Sequence, residues 1–349
     1  MKKISLLLAL IISFSLVAVG CGKSPNGEVY VYSYGDYFDP KIADQFKEET
    51  GINVIIDTYD TAEEMYTVME KGATNYDCIC TSDYMIEKMI HNDLLDELNY
   101  DNIPNIKNIE DMYMTKSKAF DPKNKYSVPY IVGTAGIIYD PELVGNIEID
   151  SWENLWDEKF KDQIVMPDSV REAFMIGLKK QGYSLNSDKE SEIKSSAKEL
   201  MKQKKLVYKY ANDSARDMLA DGSAAIGVVW NGEYLYTKEL NDNVKFVIPK
   251  EGTEFFIDSW IISKDATNKE NAEKWIDFLC RGDIAAQNFE YLNYTTPNKE
   301  AKKLIDKELL KDEAVFPTQE TLKNCESLRM LDEKTSDLYS KYWKQVKSQ

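Results

Sequence analysis

One histidine, His91, is all the imidazole this chain of 349 residues has. That scarcity removes most nucleophile–base triads and most zinc sites, which draw on several imidazole or thiolate groups. Four motifs are also missing: the phosphate-cradling G-x-x-x-x-G-K-[ST], the dinucleotide fingerprint G-x-G-x-x-G, the nucleophile elbow G-x-S-x-G and the zinc-binding H-E-x-x-H. Carboxylates are plentiful, so residue type allows a glycosidase pair, but no spacing singles one out. The sequence therefore reads as a non-enzyme with no metal and no cofactor. Basic charge is in deficit, 43 lysines and arginines against 60 aspartates and glutamates, for a net charge of −17. Nucleic acid, whose phosphates call for basic patches, is an unsuitable partner. An acidic surface suits cationic ligands, or serves solubility alone. Cysteine is scarce as well, with five in the chain. Cys78 and Cys80 share one face of an apolar run and read as small buried hydrophobes. Cys280 and Cys325 leave a disulfide open, which spacing cannot assign. Aromatic side chains are abundant, with 22 tyrosines and six tryptophans. Aromatic faces and carboxylates together are what a cation-binding pocket needs.

Long hydrophobic runs are confined to the N-terminus. Lys2 and Lys3 precede an apolar run from Ile4 to Val19, which ends in Ala18-Val19-Gly20-Cys21. A positive start, a short apolar core and small residues before a cut site make a bacterial export signal over residues 1–20. The run is at the short end for a membrane span of about 20 residues. The cysteine after the small residue resembles a lipobox. Cys21 is thus the expected lipidation site, and residues 21–27 a polar leash. The anchored chain is expected outside the cytoplasm, in the periplasmic space or on the outer face of the cell membrane.

After residue 27 strands and helices alternate. Val29–Ser33, Ile52–Tyr59 and Asp77–Thr81 read as strands, separated by helices opened by Pro40 and by Thr61. A helix carrying Met85, Ile86 and Met89 follows, capped by Ser82 or Asp83. Ile131–Tyr139, Gln163–Met166, Ala224–Trp230, Val244–Ile248 and Phe255–Ser263 are further strands. Helices are predicted over Arg171–Lys180, Asp188–Gln203, Glu270–Cys280 and Leu331–Lys347. This rhythm predicts an α/β fold, a parallel sheet with helices on both faces. Two such units in an exported chain suggest a two-domain periplasmic-binding-protein fold, type II-like, with the ligand cleft between domains. Domain 1 is expected to hold residues 28–132 and 255–303, and domain 2 residues 133–254 and 304–349.

Aromatic and acidic residues cluster just after the predicted strands, where open α/β sheets bind their ligands. The clusters are Tyr32–Tyr37, Thr81–Tyr84, Pro167–Glu172, Val229–Tyr234, Phe255–Ser259 and Asn293–Asn298. With the landmarks Phe46–Ile52, Tyr126–Tyr130, Arg171-Glu172, Trp230-Asn231-Gly232, Pro249–Gly252, Asp258-Ser259 and Thr296-Pro297-Asn298, the chain resembles the spermidine/putrescine-binding proteins of bacterial polyamine ABC transporters. The resemblance runs from about Val29 to the C-terminal helix. It implies a monomeric receptor that captures a polyamine and delivers it to a membrane permease. It further implies that Tyr34 stacks on the ligand's methylene chain, that Tyr37 and Tyr294 wall the slot, and that Ser82 and Tyr84 hydrogen-bond ligand nitrogens. Glu172 matches a carboxylate holding a terminal ammonium, Asp258 the central carboxylate, Trp230 the main aromatic platform, and Phe256 a second tryptophan's place.

Departures from the family pattern bear on the ligand. Ser169 stands where a carboxylate is usual, with Asp168 one residue earlier. Gly35 replaces a hydroxyl residue and precedes the acid Asp36. Leu328 replaces a ligand-binding glutamine, and Glu233 sits where diamine-preferring relatives place an acid. A shortened pocket in which putrescine competes well with spermidine, or outcompetes it, is the resulting expectation. Arg171 would repel a cation and is expected to be scaffold. On the residues alone two alternatives stay open: a binding protein of the same fold for another cationic solute, and a surface lipoprotein hydrolase.

Overall fold

The computed structural model describes residues 26–348 apart from 36, 73, 74 and 213. The export signal, Cys21 and Asp36 lie outside the described residues. The described strands are β1 (Glu28–Tyr34), β2 (Asn53–Tyr59), β3 (Cys78–Thr81), β4 (Leu95–Asp96), β5 (Ser127–Tyr139), β6 (Ile164–Met166), β7 (Val207–Tyr210), β8 (Ile226–Trp230), β9 (Lys245–Val247) and β10 (Phe255–Ser263). They join in the order β2-β1-β3-β10-β5-β8-β6-β7, with β4 on β10 and β9 on β5. Helices α1 (Lys41–Thr50), α2 (Ala62–Glu70) and α3 (Asp83–His91) follow the first three strands in turn. Helices α4 (Asp111–Ser117) and α5 (Pro141–Val144) flank β5. Then come α6 (Val170–Lys180), α7 (Glu190–Gln203), α8 (Ala215–Ala220) and α9 (Asn231–Leu240). Helices α10 (Lys269–Leu279), α11 (Gly282–Leu292) and α12 (Glu333–Ser348) complete the chain.

Both wings of the sheet are parallel, β1 with β2 and β3, and β6 with β7 and β8. The centre is not, which corrects the expected all-parallel sheet: β10 runs antiparallel to β3 and β5, and β5 antiparallel to β8 and β9. The reason is the path of the chain. It leaves the first wing along β5 and returns along β10, so the two strands must run in opposite directions. Strand β5 serves both wings. Residues 127–134 pair with β10, and residues 135–139 pair with β8. A bulge between Asp258 and Ser259 accommodates Pro129 opposite Ser259, because proline has no N–H to give the ladder.

The apolar core divides near the same point of β5. One cluster contains Val29, Phe46, Ile79, Val132, Trp260 and Trp275. A second contains Ala135, Trp152, Phe174, Ile226 and Tyr339, and a third, around Val229, takes in Phe289. Helix starts obey local chemistry. Thr61 Oγ1 accepts the Glu64 N–H at 3.2 Å, and Ser151 and Asn154 form a capping box over Trp152–Trp156. At α3 the expected side-chain cap is absent from Ser82, while Asp83 Oδ1 takes the Tyr84 N–H at 2.7 Å. Cys78, Cys80, Cys280 and Cys325 are free thiols, so the open Cys280–Cys325 disulfide is not formed. Among the described residues no helix is long and apolar enough to cross a membrane.

Candidate functional site

Four strands end where β5 passes from one wing to the other. Strands β1 and β3 deliver Tyr34 and Thr81 from one side, and β6 and β8 deliver Met166 and Trp230 from the other. Because β10 is antiparallel, its beginning rather than its end lies there, and it brings Phe256 and Asp258. Trp230 and Tyr84 are half-buried and pack against the first and second cores alike, so both stand at the seam.

On the first side aromatic rings form a wall. Tyr34 lies 4.6 Å from Tyr59 and 5.0 Å from Tyr37, ring centre to ring centre. The Tyr130 hydroxyl donates to the Tyr37 carbonyl at 2.9 Å, which fixes Tyr37 from behind. The Tyr37 hydroxyl in turn donates to Asp258 Oδ2. Asp258 is only 6% exposed and forms no ion pair among the described residues. Burial lifts its carboxyl to about 6, against the pull of the Tyr37 hydrogen bond. Burial, and then the Asp258 charge, push the Tyr34 and Tyr37 phenols up in turn. Ser82 is buried beside the Tyr34 phenol at the head of α3. Tyr84 donates to a Glu63 carboxylate oxygen at 3.0 Å.

On the second side Glu172 lies in the first turn of α6 and accepts a hydrogen bond from Ser169 Oγ. Burial raises its carboxyl, and the neighbouring Arg171 guanidinium opposes the rise. Arg171 donates to the Arg329 carbonyl at 3.2 Å and to Asn186 Oδ1 at 2.9 Å, rather than ion-pairing with an acid. Asn231, next to Trp230, locks the seam. Its Oδ1 accepts the Thr134 N–H at 3.2 Å and its Nδ2 donates to Thr295 Oγ1 at 3.0 Å. Two glycines permit this closeness. A Cβ on Gly133 would meet Asn231 and Phe256 at 2.4 Å, and one on Gly232 would meet the Tyr294 ring at 2.5 Å. Tyr294 stands edge-on to Phe256 at 6.3 Å.

Two candidates are otherwise engaged. Glu233 accepts from Arg216 Nη1 at 2.8 Å and from the Tyr294 hydroxyl at 3.1 Å. Asp168 is exposed and ion-paired with Lys347 at 2.8 Å. Leu328 is buried in the second core. Two further carboxylates join the site that the sequence reading did not single out. Asp83 is 1% exposed, and burial followed by the Asp258 charge lifts it to about 8. Glu254 is 5% exposed, and burial followed by Glu172 pushes it well up. Alternation was the available signal for Glu254: it shares a strand face with Phe256 and Asp258. Buried carboxylates and aromatic walls at one seam can hold a cation with apolar surface between its charges.

The fold and this seam define an exported solute-binding protein. The chain belongs to the bacterial extracellular solute-binding proteins, whose family model matches residues 41–318. It is 34% identical over 326 residues to the spermidine/putrescine-binding periplasmic protein of Escherichia coli K12, covering 93% of this chain and 92% of that one. Two solved structures superpose closely. The spermidine/putrescine ABC transporter substrate-binding protein of Streptococcus pneumoniae has a TM-score of 0.84 at 36% identity, with 92% of this chain and 99% of that one covered. A putative spermidine/putrescine ABC transporter from Listeria monocytogenes has a TM-score of 0.85 at 35% identity, covering 92% and 98%. The solute-binding fold expected from the sequence is thereby borne out, and membership of the family puts the chain outside the cytoplasm.

Proposed function

We propose that this protein captures polyamines, spermidine or putrescine, and hands them to an ABC permease. The observation that carries the reading is Asp258: a buried carboxylate without a basic partner among the described residues, held by Tyr37 and flanked by aromatic rings. An ammonium group would meet the charge, and the rings would cover the methylenes. Each charge-assisted hydrogen bond contributes about 1.5–3 kcal/mol, and each aromatic face about 0.5–2 kcal/mol. Glu172 serves as the second charged contact, Trp230 as the platform, and Tyr34, Tyr37, Ser82, Tyr84, Phe256 and Tyr294 as the lining. Glu233 and Asp168 stand outside this set, because Arg216 and Lys347 already meet their charge.

Two bodies, residues 28–132 with 255–303 and residues 133–254 with 304–349, close on the ligand by hinge motion at β5 and β10. The division of the core near residue 132 supports them, although Phe289 and Leu322 each pack with the other body's cluster. The receptor acts as a monomer, tethered through lipid on Cys21 and the leash to residue 27. Two acyl chains are needed for stable anchoring. Calorimetric titration with spermidine, putrescine and a monoamine tests the function. Saturable binding of a polyamine and none of the monoamine is expected. Folded protein that binds no polyamine would overturn the reading.

A further inference from the structure

Glu254 lies outside the set of residues assigned to the polyamine slot. It precedes β10 directly, in an extended bridge with Glu326, and shares the strand face of Phe256 and Asp258. At strand rise it lies about 13 Å from Asp258 along the backbone. Its Oε2 is buried and has no hydrogen-bond partner, and no basic side chain is ion-paired with it among the described residues. Buried carboxylates are ordinarily paired, because an isolated charge in a poorly solvated place is costly.

The charged groups that bear on Glu254 are Glu172 and Arg171 from α6, Asp83 from α3 and Asp258 from β10. Only Arg171 is positive; its Nη1 and Nη2 donate to the Arg329 carbonyl and to Asn186, its buried Nε has no hydrogen-bond partner, and it forms no ion pair with Glu254. The Arg329 guanidinium is held by both oxygens of Glu87. Four carboxyl groups therefore share one guanidinium, a shortage of positive charge that burial answers by lifting Asp83 and Glu254 toward their neutral forms and that a bound cation would answer by ionising them. A single metal ion does not meet this need, since among the described residues no three such side chains converge on one point. Asp258 and Glu254 stand about 13 Å apart along one strand, with Glu172 and Asp83 on the helices beside them, which suits a chain-like cation with several separated charges.

We propose that Glu254 is a ligand-recognising carboxylate that receives an additional ammonium group, so that the slot favours a triamine over a diamine. This rests on the polyamine reading above and deepens it. It also reverses the shift toward putrescine read from Glu233, whose charge Arg216 meets within the protein.

Calorimetric titration of the wild type and Glu254→Gln with spermidine and with putrescine tests it. The substitution keeps the shape and removes a carboxyl whose ionisation burial disfavours, so the ligand-free variant should melt no lower than the wild type. Spermidine affinity should fall at least tenfold, and putrescine affinity less than threefold. Unchanged spermidine affinity, or equal losses for both ligands, would overturn the inference while leaving polyamine binding intact. A wild type that binds putrescine more tightly than spermidine would overturn it without any variant. A wild type that binds neither ligand would overturn the proposed function, and this inference with it.

Discussion

Replacing Asp258 by asparagine should move stability and affinity in opposite directions. An aspartate carboxyl with a usual pKa of 3.8 is lifted here to about 6. A raised carboxyl means that ionisation favours the unfolded chain. The cost is absent below about pH 4, grows as pH rises toward 6, and persists at neutral pH. Each pKa unit is about 1.4 kcal/mol, so the ionised carboxylate takes about 3 kcal/mol from the ligand-free protein. Asparagine carries no charge and still accepts the Tyr37 hydrogen bond. Ligand-free Asp258→Asn should therefore gain about 1–3 kcal/mol at pH 7, a rise of about 2–6 °C in melting temperature. It should also lose the decline in stability between pH 4 and 6. Its polyamine affinity should fall by about 1.5–3 kcal/mol, the worth of a charge-assisted hydrogen bond. At about 1.4 kcal/mol per tenfold, that is at least tenfold in Kd. Thermal melts across pH and calorimetric titrations read both effects. A variant that melts lower and binds polyamine as well as the wild type would refute the reasoning.

In the wild type, polyamine affinity should fall about tenfold from pH 7 to pH 5, as Asp258 takes up the proton that a bound ammonium must displace; a flat calorimetric profile would exclude Asp258 as the contact. Trp230→Ala should weaken polyamine binding tenfold or more in titration, because the ring stands at the seam between both cores. Gly232→Ala should push the Tyr294 ring aside and cut affinity several-fold while leaving α9 helical by circular dichroism, the new Cβ falling 2.5 Å from that ring. Cys21→Ser should move the protein from the membrane pellet to the soluble fraction with affinity unaltered, and retention on the membrane would point to an uncleaved anchor.

Most elements were legible because their signals are local. Thr61 caps α2, and the apolar stripe of α10 carries Trp275 and Ile276 as the spacing predicts. Helix α11 escaped the sequence reading: Arg281, at its N-cap, makes no side-chain cap bond, and the helix stops at Asn293 in the left-handed region. The stretch after Trp230 read as a site loop, yet residue 231 already begins α9. Trp230 could be nominated from its place at a strand end, and Asp258 as a carboxylate in an otherwise apolar strand; Trp230 packs against both cores, and Asp258 lies buried against the Tyr37 hydroxyl.

The sequence by itself determined the class of this protein: an exported α/β chain, poor in catalytic groups and rich in carboxylates and aromatic rings. Those properties belong to residue types and short spacings, which survive in any fold. Only the tertiary structure decided which carboxylates find a basic partner. Glu233 meets Arg216 from another helix, and Asp168 meets Lys347 from the far end of the chain. Asp258 and Glu254, along one strand face, meet no basic partner among the described residues. Charge pairing acts through a few ångströms of space, whatever the separation along the chain. The antiparallel centre of the sheet has the same origin, since strand direction follows from where the chain crosses and returns.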